Sequence, residues 1–343
     1  MGQNNQSKRK VAKKPKKHKK LKIFLWVLLF LILLIGGVAG GYVLSQLGKI
    51  QNTNISQSNE DLGIDQSTID KISTAGDDVI NVALFGVDRR NKGENGNSDA
   101  IMVASIDTKN KKIKLSSIMR DSYVNVDGLG MTKINAAYQK GGPQLAIKTI
   151  NQNFKLNIKD YFTVDFFSLE KIIDALGGVQ INVKPAEVEN INQSVTEVSN
   201  IEKETPKLVS HSGLQTLTGR QAVAYARIRY VGNNDFERTD RQRTVLTLLF
   251  QKIQNGGLAN YSKTVNTIIP YTETSMSTMD ILSLGTKVLT SGTHSLDQQR
   301  FPVDGYWSDY VYNGVDYLKI DLNATSDQLF NFIYKDIKPT PKK

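Results

Sequence analysis

Val79-Ile80-Asn81-Val82-Ala83-Leu84-Phe85-Gly86-Val87 is an apolar run broken only by Asn81, and its reading decides the fold. A strand with one wet face alternates polar and apolar residues, whereas a near-continuous run marks a central strand covered on both faces. The run ends in Asp88-Arg89-Arg90, and a polar loop over 91–98 follows. Asp99 opens a second strand over 100–107, and a third over 112–119 ends in Arg120-Asp121. Further along, the pattern predicts helices at 134–140 and 143–154, the latter with Pro143 at a permitted first-turn position. A strand at 161–166, a helix at 169–176 and a strand at 179–183 come next. Residues 185–207 are polar and acidic, and read as a mobile insertion, either a lid or a loop. Helices near 258–269 and 278–290 and a strand near 299–303 complete the pattern. Strands alternating with helices imply a mixed α/β sheet with helices on both faces. Asp88, Asp99 and Arg120 all fall at strand ends or starts, where open α/β sheets place ligand sites.

The stretch 222–243, A-V-A-Y-A-R-I-R-Y-V-G-N-N-D-F-E-R-T-D-R-Q-R, is the one least like packing. It holds Arg227, Arg229, Arg238, Arg241 and Arg243. A helical turn from Leu214 is expected to lead into a strand that sets Arg227 and Arg229 on one face. A loop over 232–235 follows, then a helix over 240–254 capped by Thr239 or Asp240, with Arg238 at its mouth. Positive charge there opposes the helix macrodipole. A solvated charged turn is the plainer reading. Converging guanidinium groups, the bidentate phosphate binders, point instead to a polyanionic ligand.

Charge is unevenly spread. Lys and Arg total 44, ten of them within residues 8–22, which leaves 34 against 33 acidic residues. The positive excess describes a tail, not a nucleic-acid-binding domain. Residues 23–47 carry no charge and are long enough to cross a bilayer as a helix. A cleavable signal peptide competes, but its apolar region would be shorter. The basic flank belongs inside, which places the bulk of the chain outside the cytoplasm. The organisation expected is a basic cytoplasmic tail (1–22), a transmembrane helix (23–47), a linker (48–77, with a short helix around 64–72) and a catalytic domain (78–343). No cysteine is present, and there are three histidines. Thiolate chemistry, disulfides and a histidine-rich metal site are thereby excluded or disfavoured.

Asp88 and Asp99 flank the first loop. Carboxylates brought together repel unless something positive lies between them, and two carboxylates with waters and phosphate oxygens are a magnesium pattern. Each aspartate capping a turn is the alternative. The ordered series G-x-D-x-R (Gly86, Asp88, Arg90), S-D (Ser98, Asp99), M-R-D (119–121), K-I-N-A-A-Y, G-G-P-x-L-A, D-A-L-G-G-V, A-R-I-R and D-F-x-R-x-x-R-Q-R resembles the LytR-CpsA-Psr family over roughly 80–250. The resemblance implies a membrane-anchored enzyme with a three-layer α/β/α sandwich and an apolar pocket for polyprenyl chains. It implies transfer of a glycopolymer such as teichoic acid or capsular polysaccharide from an undecaprenyl-pyrophosphate carrier to a peptidoglycan acceptor through a phosphodiester. It further implies Mg²⁺ held by Asp88 and Asp99, and a pyrophosphate clamp of Arg120, Arg227, Arg229, Arg238 and Gln242. Asp235 would orient an arginine or a metal-bound water. Asn97 stands where the family commonly has arginine, so one phosphate contact is missing or comes from Arg90. Asp121 and Asp235 are candidate bases. Residues Ile147, Ile150, Phe154, Ile172, Ile173, Leu246, Leu249 and Phe250 are candidates for a lipid tunnel, with plain core as the alternative. A polyprenyl-pyrophosphate hydrolase and a non-catalytic polyanion-binding envelope regulator are the rival functions.

Overall fold

The computed structural model describes residues 51–52, 54–75, 78–89, 95–229, 231, 234–292 and 295–342. The tail, the apolar stretch 23–47 and Arg90 lie outside them. Among the described residues no helix is long and apolar enough to cross a membrane.

In chain order the elements are β1 (Gln51–Asn52), α1 (Gln66–Ala75), β2 (Val79–Asp88), β3 (Asn97–Asp107), β4 (Lys112–Ile118), β5 (Tyr123–Val126), β6 (Gly130–Lys133), α2 (Ala136–Phe154), β7 (Asp160–Asp165), α3 (Phe166–Ala175) and β8 (Val179–Val183). They continue with α4 (Pro185–Glu202), β9 (Gly213–Leu217), α5 (Gly219–Arg227), α6 (Asn234–Asn255), α7 (Gly257–Ile268), β10 (Glu273–Thr274), α8 (Thr278–Thr290), β11 (Ser295–Phe301), β12 (Trp307–Tyr312), β13 (Val315–Ile320) and α9 (Leu322–Lys335). Among the described residues the main sheet runs β1-β10-β7-β2-β3-β4-β11. It is mixed: β2 pairs in parallel with β7 and antiparallel with β3, while β4 is antiparallel to β3 and parallel to β11.

As its sequence requires, β2 is central and buried on both faces. Ala83, Phe85 and Val87 join Ile101 and Val103 of β3 in a core closed by Phe154 of α2 and by Leu329, Phe330 and Ile333 of α9. Leu84 and Gly86 turn the other way, toward α3, α5, α6 and α7. The two helices expected around Pro143 follow one another within α2, separated by the non-helical Gly141 and Gly142, the latter with a φ of 61° that a side chain would resist.

Five expectations are corrected. Residues 219–227 form a helix, not a strand. Ala222 to Ala226 are all buried, so periodicity could not separate the two, but Thr218 and Gln221 make a reciprocal capping box at the helix start. The segment before it, expected to be helical, is strand β9, paired with β8. Next, α6 begins at Asn234 rather than at 239–240, and Asp235 and Glu237 in its first turn suit the macrodipole. Residues 185–202 of the supposed insertion are α4, whose Ile191 and Val195 are buried in a second apolar cluster with Tyr225 and Val245. Finally, Leu62, Ile64 and Ile72 of the expected linker are buried in the first core. Regular apolar spacing is weak there, so composition alone read as a stalk.

Candidate functional site

The ends of β2 and β3 meet the start of α6 and the end of α5. The β2–β3 register shifts at Gly86/Val87, so that Asp88 pairs with Asn97 and Val87 with Ser98. Gly96 lies so close to the Asp88 carbonyl that a Cβ there would sit 1.9 Å from the oxygen, and only glycine permits this approach. Asp88 and Asp99 thereby line one polar cavity of about 390 Å³ with Arg227, Arg229, Arg238 and Gln242.

Three of the clamp residues expected from sequence, Arg120, Arg229 and Arg238, gather around Asp99 and Asp235, whereas Arg227 and Gln242 line the same cavity without contacting either carboxylate. Arg120 Nη1 donates to Asp99 Oδ1 at 2.6 Å, and Arg229 lies 3.8 Å from the other oxygen. Asp235 lies 3.1 Å from Arg238, 3.9 Å from Arg120 and 4.0 Å from Arg229. Three guanidinium groups thus surround two carboxylates, an excess of positive charge in a small volume. Arg238 is the most constrained. Its side chain is 3% exposed, and its Nε and Nη1 have no hydrogen-bond partner. Burial, followed by the charge of Arg120, pushes its pKa down to about 10 against the pull of Asp235. Burial also opposes the charge of Arg120, but Asp99 and Asp121 more than offset it, so that its pKa is raised. Burial raises Asp121, yet the Lys133 ammonium at 2.7 Å and Arg120 hold it below the usual carboxylate range.

Arg227 is the last residue of α5 and Arg229 lies just beyond it. The two flank the buried Ile228, so they face solvent together although no strand carries them. Phe166 carries the Arg227 guanidinium on its ring, 4.5 Å from the centroid. Not all five arginines converge. Arg241 is buried against Glu187 and Glu237, each at 2.9 Å, and donates to the carbonyls of Ile228 and Val231. It pins the chain that presents Arg229 to the start of α6. Arg243 pairs with Asp240.

Beside the polar cavity lies an apolar one of about 360 Å³, and Phe166 and Gln242 line both. Its walls are Leu84, Met102 and Leu115 from the sheet and Leu169, Leu246 and Leu249 from the helices. Of the tunnel candidates, Ile172, Leu246, Leu249 and Phe250 line it, whereas Ile147, Ile150, Phe154 and Ile173 are core. Sequence reasoning missed Phe166, and also Asn190, Gln193, Ser194 and Glu197 of α4, which form the polar wall opposite the arginines. Helical spacing of 190, 193, 194 and 197 was the signal that could have found them.

Among the described residues no cluster of three or more His, Asp or Glu could hold a metal. Asp88 and Asp99, at adjacent strand ends on one cavity, fit a magnesium ion that takes its remaining ligands from phosphate and water.

A cavity with an apolar depth and a cationic mouth defines a binding protein or enzyme for an amphiphile with a polyanionic head. The chain belongs to the LytR_cpsA_psr family, which it matches over residues 42–331. It is 34% identical over 244 residues to the polyisoprenyl-teichoic acid–peptidoglycan teichoic acid transferase TagU of Oceanobacillus iheyensis, covering 68% of this chain and 70% of that protein. It is 30% identical over 264 residues to the regulatory protein MsrR of Staphylococcus aureus, covering 76% of each. The solved structure of the family protein YwtF (TagT) with bound octaprenyl pyrophosphate lipid superposes with a TM-score of 0.56 at 25% identity, covering 76% of this chain and 92% of that one.

Proposed function

We propose that this chain is a membrane-anchored phosphotransferase that moves a glycopolymer from a polyprenyl-pyrophosphate carrier to peptidoglycan. The observation that carries the reading is Arg238, a buried guanidinium with two unpartnered nitrogens that lines the cationic cavity, which shares Phe166 and Gln242 with the apolar one. Buried N–H donors of a charged group left without acceptors are costly, and an anion that enters with its hydrocarbon tail in the apolar cavity relieves that cost. Relatives named as teichoic acid transferases, and one solved with a polyprenyl pyrophosphate, support the choice of carrier and cargo.

On this reading the polyprenyl chain lies along Leu84, Met102, Leu246 and Leu249. The pyrophosphate enters between Arg120, Arg227, Arg229 and Arg238, with Gln242 at the boundary, and the first sugars face α4. Phosphoryl transfer asks the protein mainly for positioning and charge neutralisation. The acceptor hydroxyl oxygen bonds to the sugar-linked phosphorus, the bond from that phosphorus to the bridging oxygen breaks, and the electron pair leaves with the lipid phosphate. Asp235, central among the arginines, is placed to receive the hydroxyl proton. Asp121, held ionised by Lys133 and Arg120, is the weaker base. A magnesium ion held by Asp88 and Asp99 would neutralise charge on the pyrophosphate oxygens. The N-terminal tail lies in the cytoplasm and the domain outside it, anchored by residues 23–47.

The full chain in detergent, given lipid-linked glycan, Mg²⁺ and peptidoglycan oligomers, should yield a phosphodiester-linked adduct by mass spectrometry of the acceptor. Acceptor-independent release of glycan phosphate would make it a hydrolase, and retention of lipid without turnover would make it a binder. Asp88→Asn tests the metal more cleanly than Asp99→Asn, because Asp99 also organises Arg120 and Arg229. Undiminished transfer by Asp88→Asn in the presence of chelator would remove magnesium from the reaction.

A further inference from the structure

The two hairpins next to the site carry a feature that the transfer reaction does not use. Tyr310 of β12 stands opposite Tyr317 of β13, and Tyr123 of β5 packs its ring 4.8 Å from Tyr317 and 5.3 Å from Tyr310. Tyr312 stacks on Tyr310, 6.2 Å away and only 11° from parallel. Together they form a ladder of rings on one face of β12–β13 that ends at the half-exposed Tyr312. No described residue takes a hydrogen bond from any of the four hydroxyls or gives one to them. The hairpin is anchored by its other face, where Leu318 is buried and its amide donates to the Asp121 carbonyl at 2.8 Å. Tyr123 ties the inner end of the ladder to β5, whereas Tyr312 at its outer end packs, among the described residues, only on Tyr310 of its own strand.

The ladder joins the site through Lys133, which pairs with Asp121 at 2.7 Å and lies 5.8 Å from the Tyr317 ring centroid. Asp121 in turn contacts Arg120 on the flank of the clamp away from α4 and the apolar cavity. Lys319 stands over Tyr310. Rings alternating with ammonium groups suit neither a protein core, which shuns lysine, nor a lipid pocket, which would be concave and dry. They suit a flexible polymer whose repeating unit has a C–H-rich face, hydroxyls at its rim and occasional carboxylates. Tyrosines supply large rigid contact area with a polar tip at low entropic cost.

We propose that Tyr123, Tyr310, Tyr312 and Tyr317 form a platform for the amino-sugar strand of the acceptor, which holds it beside the phosphate clamp. Identifying the strand as acceptor rests on the transfer reading above; the binding itself does not. The test uses the full chain in detergent and two probes, a β-1,4-linked N-acetylglucosamine hexamer and octaprenyl pyrophosphate. Joint Tyr310→Ala and Tyr312→Ala substitution should weaken hexamer binding about tenfold and leave octaprenyl pyrophosphate binding unchanged. Phenylalanine at both positions should retain most of the affinity. If the double variant melts at a lower temperature, Tyr312→Ala alone, at the exposed end, replaces it. Equal hexamer binding by wild type and a folded alanine variant overturns the platform, as does a wild type that binds octaprenyl pyrophosphate but no hexamer. A wild type that binds hexamer but no octaprenyl pyrophosphate keeps the platform and sinks the carrier reading.

Discussion

Two arginines of one short stretch have opposite relations to stability. Arg241 has carboxylate and carbonyl partners, and Glu187 against it is 1% exposed. Arg241→Met leaves that carboxylate buried without a countercharge, with only the Lys184 amide donating to it, which should cost about 3–5 kcal/mol of folding stability by denaturant titration. Arg238 has one carboxylate partner, two unpartnered nitrogens and a depressed pKa. Arg238→Met should leave the melting temperature unchanged or raise it, while octaprenyl pyrophosphate binding weakens by about 1.5–3 kcal/mol. If Arg238→Met unfolds the chain as Arg241→Met does, the guanidinium is a packing device and the clamp loses its centre. Arg227→Lys belongs to a third kind. It keeps charge but loses the planar group stacked on Phe166, so carrier binding should fall while stability holds, and equilibrium binding decides.

At the scale of elements, the segment before β2 is part of the domain. Leu62 is fully buried, and Asn151 donates to its carbonyl from α2. Leu62→Ala should cost about 2–5 kcal/mol, and a chain beginning at Asp78 should melt well below the full chain. Equal melting temperatures would make 54–75 a passive strap. The same segment shows where sequence stops being legible. Strand β2 was readable because burial on two faces demands a near-continuous apolar run, and β3 and β4 because turn residues and charges bound them. The helix α5 was not, since A-V-A-Y-A satisfies a period of 2 and a period of 3.6 when every residue is buried. The β5–β6 and β12–β13 hairpins escaped because they are short and mix aromatic with polar residues on one face, as Tyr310 and Tyr317 beside Ser308 and Lys319. Of the site, Arg120 was legible as a charge at a strand end, Arg229 and Arg238 as part of an arginine cluster, and Asp235 through the family motif. Phe166 and the polar face of α4 were not, because their role exists only once α3 and α4 pack beside α5.

At the scale of the whole molecule, the described residues hold two large apolar cores and a third small cluster of Tyr261, Val265 and Ile269, and each contains a buried tyrosine that resists ionisation. Burial pushes the phenols of Tyr138 in the first, Tyr225 in the second and Tyr261 in the third up to about 12 from an ordinary 10.0, and raises Tyr334 in the first as well. In the unfolded chain these phenols release their protons near pH 10, while the folded chain still holds them. The unfolded state then binds fewer protons, so stability falls as pH rises. The contribution is therefore complete below pH 10 and lost as pH climbs from 10 through 12. Because the tyrosines are spread over all three clusters, the loss should be a single cooperative transition and not the release of one element. Melting temperature followed by circular dichroism should decline steeply above pH 10. Lysine titration contributes in the same range, so the comparison that isolates the phenols is Tyr225→Phe, whose ring fills the same space without a proton to lose. That variant should show a shallower decline than wild type between pH 10 and 12 and match it at pH 8. Parallel declines would place the alkaline sensitivity on the lysines instead of the cores.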